Sequence, residues 1–261
     1  MAGSRASAVS LALLLVVALK AGARDLRPDQ FDRAPLDPAW TFLAPDGGRY
    51  EFHDGWFHVF AAGDLRINPH ADAIAPMLLI EPPADEMFSF ETRLRWIAQE
   101  RSAPAGLVAI RKDLSTSMTL KCSPLAFGTI RLYRWDDVEG RGGGALTVFP
   151  LGHDWEDIWL RVEMIGRGDA FFPKFSYKRG GQDDPWQSAT NDGGQDFLRP
   201  QDMTPEFDPG EYWIGLFMGT ALGSDRETEV AFDYFHSPQL SPLTVQTANT
   251  TTTTWGSLKQ P

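Results

Sequence analysis

Apolar and polar positions alternate along most of this chain. In the run "MFSFETRLRW", Phe88, Phe90, Thr92, Leu94 and Trp96 fall on one side, and Ser89, Glu91, Arg93 and Arg95 fall on the other. That is the period-two pattern of a half-buried strand. Runs of the same kind recur as "GWFHVF", "AGLVAIRK", "SMTLKC", "GTIRLYRW", "DIWLRVEM", "FPKFSYK", "EYWIGLFMG" and "EVAFDYF". Connections rich in Gly, Pro and Asp separate them. No stretch longer than about ten residues carries the i, i+3, i+4, i+7 apolar stripe of an amphipathic helix. A strand must bury one face, and without helices only a second sheet can cover it. The pattern therefore predicts an all-β fold, an antiparallel sandwich of two sheets.

The same pattern delimits the domain. Strand signals run without an internal repeat or linker over residues 24–238, which are read as one β-sandwich domain. Ahead of them, residues 1–23 have the form of a signal peptide: Arg5, the apolar run "LALLLVVAL", and the small-residue cleavage site Ala21-Gly22-Ala23. That run stops at Lys20 and is too short for the roughly 20 apolar residues that span a bilayer. The expectation is an exported protein, secreted or periplasmic, with no membrane span. Two polar segments stand out. Gly180 to Gly210 forms a long connection between strand candidates, and residues 239–261 form a Thr-rich tail without a core pattern, read as disordered.

Charge narrows the partners. The chain carries 24 Lys and Arg against 35 Asp and Glu, a formal charge of −11. Loss of the leader would remove Arg5 and Lys20 and no acid, leaving a more negative protein. Nucleic acid is excluded as a partner, because a polyanion needs a basic stripe that displaces its counterions. The single cysteine, Cys122, shares one side of "SMTLKC" with Met118 and Leu120, which predicts a buried, inert thiol. With no internal disulfide possible, the fold must be held by its core.

Several separated pieces, taken together, resemble a known module. They are "QFDRAPLDPAWTFL", "APMLLIEPPADEMFSFETRLRW", "AGLVAIRKD", "IWLRVEM" with "FSYKRGGQDDPWQ", and "YWIGLFMG" with "EVAFDYF". Their order and spacing resemble the concanavalin A-like jelly-roll sandwich found at the C-terminus of family-43 β-xylosidases and its stand-alone relatives of unknown function. The resemblance covers nearly the whole chain up to Pro238. It implies a jelly roll of two twisted antiparallel sheets, a carbohydrate-related setting and a structural calcium ion near the chain ends. It reaches the supporting module of those enzymes and not their catalytic propeller, so a binding or accessory role is what it implies, since fold alone does not carry an activity.

Candidate functional residues follow from both readings. Asp32 and Asp233 match positions flanking the calcium site of such sandwiches; equally, Asp32 can cap a turn and Asp233 can lie on the solvent side of the last strand. On the polar sides of the strands lie Glu91, Arg93 and Arg95, then Arg131 and Tyr133, then Trp159, Arg161 and Glu163. If those strands share a sheet, Arg93, Arg131, Tyr133, Trp159 and Arg161 line a concave surface suited to a polysaccharide or glycan: aromatic rings stack on sugar C–H faces and planar polar groups fix hydroxyls. The alternative is a row of cross-strand Arg and Glu pairs that only solvates the sheet. A glycosidase or polysaccharide lyase would use Glu91 and Glu163 as its carboxyl pair. The strand of alternating glutamate, aspartate and glutamate that marks jelly-roll glucanases is absent, as is the Gln and His strand of the alginate lyases. The reading therefore leans toward a non-catalytic module, with a small hydrolase or lyase as alternative and a structural or adhesive surface protein as third.

Overall fold

The computed structural model describes residues 29–31, 34–44, 48–63, 75–83, 87–97, 103–123, 129–136, 141–148, 157–167, 170–188, 209–220, 227–239, 244–246 and 252–254. In chain order their strands are β1 (Asp29–Gln30), β2 (Thr41–Leu43), β3 (Arg49–His53), β4 (Trp56–Ala61), β5 (Met77–Ile80), β6 (Phe88–Trp96), β7 (Ala105–Arg111), β8 (Thr116–Ser123) and β9 (Thr129–Asp136). There follow β10 (Arg141–Val148), β11 (Asp157–Arg167), β12 (Ala170–Lys178), β13 (Gln187–Ser188), β14 (Tyr212–Met218), β15 (Thr228–His236), β16 (Thr244–Gln246) and β17 (Thr252–Thr254). The helical content among the described residues is one 3-10 turn, Pro209–Glu211. No helix among them is long and apolar enough to cross a membrane.

Strands β1 to β15 form two antiparallel sheets, as the alternation predicts. The first has the order β13-β12-β11-β6-β15-β4-β3, with β1 added beside β15; the second has the order β10-β9-β8-β7-β14-β5-β2. Between them lies the main core. From the first sheet come Phe57, Val59, Phe88, Phe90, Leu94, Leu160, Val162, Phe175, Val230, Phe232 and Phe235. The second sheet contributes Leu78, Ile80, Leu107, Ala109, Met118, Leu120, Cys122, Ile214 and Leu216. Burying each large side chain is worth about 1.5–3 kcal/mol, so the core can hold the sandwich without a disulfide. Burial also pushes the Cys122 thiol well above its ordinary pKa, in keeping with an inert side chain.

β6 has the facing expected of it. Phe88, Phe90, Thr92 and Leu94 point into the core while Ser89, Glu91, Arg93 and Arg95 point away. The polar Thr92 is tolerated inside because its hydroxyl donates to the Tyr234 carbonyl at 2.6 Å.

That carbonyl lies at an irregularity that fixes the outer face of the first sheet. Along β15, Phe232 pairs with Leu94 and Tyr234 with Arg93, so Asp233 is an extra residue in the ladder, a β-bulge. Simple alternation would send Asp233 outward and Tyr234 inward. The bulge instead leaves both on the outer side and returns Phe235 to the core, where it is 2% exposed.

One grouping expected from the sequence is corrected here. Arg131 and Tyr133 lie on β9, paired to Lys121 and Thr119 of β8 in the second sheet, whereas Arg93, Trp159 and Arg161 belong to the first. They are parts of different layers and do not line one surface. Periodicity reports which side of a strand a residue takes and carries no information about which sheet the strand joins. Within the Thr-rich tail, β16 and β17 pair with Val245 opposite Thr253.

Candidate functional site

The outer face of the first sheet gathers a dense set of described aromatic and charged side chains. Register explains how. Arg93 of β6 sits opposite Trp159 of β11, which sits opposite Lys178 of β12. One step along, His236, Glu91, Arg161 and Ser176 form a second row across β15, β6, β11 and β12. Trp56 enters from the start of β4, and Trp186 from the connection that follows β12.

Cations and indoles interleave across these rows. Arg95 lies 4.3 Å from the Trp56 ring centre, and Arg93 lies 4.9 Å from Trp56 and 5.0 Å from Trp159. The Lys178 amino group is 5.3 Å from Trp159 and 5.0 Å from Trp186, and Arg161 lies 4.0 Å over Trp186. Each such contact is worth about 0.5–2 kcal/mol according to how far it is desolvated.

Carboxylates hold the cations in place. Asp157 Oδ2 accepts from Arg93 Nε at 3.0 Å, and Asp157 Oδ1 accepts from Arg95 Nε at 2.6 Å. Arg93 Nη1 also donates to Asp233 at 3.1 Å. Glu91 accepts from Arg161 Nε at 2.6 Å and from the Tyr234 hydroxyl at 3.2 Å, with His236 Nδ1 at 3.8 Å. Burial alone would raise the Asp157 carboxyl, but Arg95 and Arg93 outweigh it and hold the group below its ordinary pKa. Glu91 follows the same logic: burial opposes ionisation, and His236 and Arg161 overcome it. Tyr234 moves the other way, since burial and the adjoining Glu91 carboxylate push its phenol far above the usual value.

These directions bear on the catalytic expectation for Glu91 and Glu163. A glycosidase acid must be held protonated near neutral pH. Glu91 is held ionised and bonded to Arg161. Register also sets Arg161, not Glu163, opposite Glu91, and places Glu163 opposite Ser89 and Lys174.

Trp159 takes the expected face with an unexpected environment. It is on the outer side of β11 but only 5% exposed, lying beside Arg93 and Lys178. The ring is part of the face's packing and is not an open platform. Arg93 and Arg161 do lie together on this face, as expected, whereas Arg131 and Tyr133 do not. Asp233 turns toward Arg93 at the bulge, and Asp32 lies outside the described residues. Sequence reasoning missed Trp56, Asp157, Lys178, Trp186 and Tyr234. The apolar and charged runs around them were legible, but only the register and the bulge bring them together.

Comparison with known proteins agrees with this architecture. A family model for the β-xylosidase C-terminal concanavalin A-like domain matches residues 28–237. The chain belongs to that family. Among solved structures, the family member resembles the xylan β-1,4-xylosidase of Bacillus halodurans, with a TM-score of 0.60 at 17% identity over 83% of this chain and 40% of that one. A mutant of the GH43 protein BlXynB from Bacillus licheniformis gives a TM-score of 0.59 at 15% identity over 84% of this chain and 40% of that one. The xyloglucan-locus GH43B protein of Bacteroides ovatus gives 0.54 at 14% identity over 81% of this chain and 39% of that one. The chain thus spans about two-fifths of the length of these neighbours, and the likeness to them is one of fold. A search of curated proteins gives no match.

Proposed function

We propose that this domain is a carbohydrate-binding or accessory module without catalysis of its own, using the outer face of its first sheet. The observation that carries the reading is the interleaving of Trp56, Trp159 and Trp186 with Arg93, Arg95, Arg161 and Lys178 on one surface. The half-buried Trp56 and Trp186 offer flat apolar area to sugar C–H faces, with the buried Trp159 packed among the cations, and guanidinium groups offer fixed pairs of donors to hydroxyls. Trp186 is the best-placed contact residue, because it is only half-buried and lies on a connection over the sheet. Family membership supports a glycan as the partner, and the neighbours' names suggest xylan and xyloglucan as the first polysaccharides to try. Export through the leader at residues 1–23 belongs to the same reading, since such polymers are met outside the cell.

The test is migration of the purified chain through gels containing xylan, arabinan or xyloglucan, with reducing-end and unsaturated-product assays on the same mixtures. Retardation without products is expected. Trp186→Ala should weaken retention by about 1–3 kcal/mol, the range seen when an aromatic anchor is truncated. Products made by the pure chain, or retention indifferent to Trp186→Ala, would overturn the reading. A calcium ion held by Asp32 and Asp233 belongs to this proposal as a stabilising element. It would have to compete with Arg93 for the Asp233 carboxylate. Melting in calcium against chelator, with Asp233→Ala beside the parent chain, tests it.

A further inference from the structure

One corner of the first sheet holds a group of side chains that the glycan-binding reading does not use. His53 ends β3, His58 lies in β4 and Glu229 lies in β15, and one ligand atom from each falls within 4.8 Å of the others. The pairing of the strands brings this about. A two-residue Asp54-Gly55 turn, both residues with positive φ (53° and 78°), sets His53 opposite Trp56. His58 is then diagonal to His53 across the hairpin. On its other side His58 faces Ala231, which puts Glu229 on the next diagonal.

The chemistry of the group is that of a ligand set. Glu229 Oε1 is 2.7 Å from His58 Nδ1 and 3.9 Å from His53 Nε2. The two imidazoles lie nearly face to face, with centres 3.3 Å apart and planes at 22°. Each ring binds a metal through an in-plane nitrogen lone pair, so joint ligation has the exposed His53 ring turn out of this stack, and neutral imidazole is the form that binds. On its far side His53 Nδ1 faces the Asp54 carboxylate at 3.5 Å. A carboxylate behind a histidine is the usual way in which a ligating ring is oriented. His58 is 2% exposed, and the ring nitrogen it turns to the cluster is Nδ1, which faces Glu229. Access is available from the His53 side, where the side chain is 43% exposed.

We propose that His53, His58 and Glu229 form a binding site for a zinc-class divalent ion, with Asp54 as the positioning group behind His53. Two imidazoles and one carboxylate suit zinc, nickel or copper, and they do not suit calcium, which takes six to eight oxygen ligands. The three residues are not among those used by the glycan-binding or calcium proposals, so the test of this site does not depend on either.

The experiment is calorimetric titration of the chelator-treated full chain with zinc chloride, and separately with cobalt chloride followed by visible absorption. One ion per chain is expected, with a cobalt spectrum that zinc abolishes and excess calcium leaves intact. His53→Ala and Glu229→Gln should each weaken zinc by at least about tenfold, and Asp54→Ala by about tenfold, the lower end of what loss of an outer carboxylate costs. Circular dichroism shows whether each variant retains the sheet signal. Because His53 and Asp54 are exposed turn residues, these variants keep the test decisive even if Glu229→Gln proves unstable. The proposal is overturned by the absence of stoichiometric zinc uptake, by uptake unchanged in folded His53→Ala, or by displacement of cobalt with calcium.

Discussion

The two sheets of this sandwich solve the problem of their outer faces in opposite ways. In the first, the side turned from the core is a lattice of Arg, Asp, Glu and indole side chains. In the second, the corresponding side of β5, β7 and β14 is apolar again: Met77, Leu79, Val108, Ile110 and Phe217 form a second buried cluster, with Trp213, Leu43 and Leu114 packed against it. The strands record this difference. β6 alternates buried and half-buried residues, whereas β5 is buried at all four positions and β7 at its first six. A strand buried on both sides needs apolar residues throughout, and one buried on a single side can spend every second residue on polar chemistry. Outward polar chemistry is therefore concentrated on the described part of the first sheet, and the doubly buried strands of the second add a further apolar cluster.

The sharpest way to break this comparison is to truncate the second cluster. Phe217 is 3% exposed on the side away from the main core, and Phe217→Ala should cost about 4 kcal/mol in urea unfolding, as in a true core. A loss under about 1 kcal/mol would show that this side behaves as surface.

Next in size is Trp159→Ala on the opposite layer. A solvent-facing indole would be dispensable, but this one is buried beside Arg93 and Lys178. Its removal should cost about 3 kcal/mol. A negligible change in midpoint would mean that the lattice closes over the gap or never depended on the ring.

Asp157 tests the ionic part of the lattice. Its side chain is 13% exposed and accepts from both Arg93 and Arg95, so Asp157→Asn should cost about 2 kcal/mol at neutral pH. The pH dependence has a definite sign. Asp157 and Glu91 have folded-state pKa values below their ordinary ones, so the unfolded chain binds more protons in acid. Their contribution is complete above about pH 4.5 and is lost as pH falls below that through the folded-state values. The unfolding midpoint should fall more steeply with acid in the parent chain than in Asp157→Asn. Parallel curves would remove Asp157 from the account.

The smallest effect is expected at the exposed pair Lys112 and Glu81, 2.7 Å apart. With side chains 36% and 62% exposed, Lys112→Ala should change stability by no more than about 0.5 kcal/mol. A larger change would mean that ion pairing also matters at the second sheet.

The fold was largely legible before any coordinate. Alternation in "MFSFETRLRW" and "EVAFDYF" marks strands, and Met118, Leu120 and Cys122 were placed on the core side where the structure has them. The candidate site was legible only in part. Arg93, Trp159 and Arg161 could be assigned to an outer face, because side-chain period is local to each strand. Trp56 was hidden in an apolar run, and Trp186 lay in a loop without periodicity. The turn "HDGW" carried the Asp-Gly signal that sets His53 opposite Trp56, but nothing in it names Glu229, which lies far along the chain.

By itself, then, the sequence determined the strands, their buried sides and the family resemblance, all of which rest on short-range pattern and order along the chain. Tertiary structure decided the partnerships. It sent β9 to the second sheet, separating Arg131 and Tyr133 from Arg93. It also placed the bulge at Asp233 that turns both Asp233 and Tyr234 outward toward Arg93 and Glu91. Strand order and register are chosen by the joint packing of both sheets, and a bulge without glycine has no local signature. The side chains that meet across the first sheet are therefore selected by contacts between segments as far apart as Glu91 and Tyr234, a separation that no local period encodes.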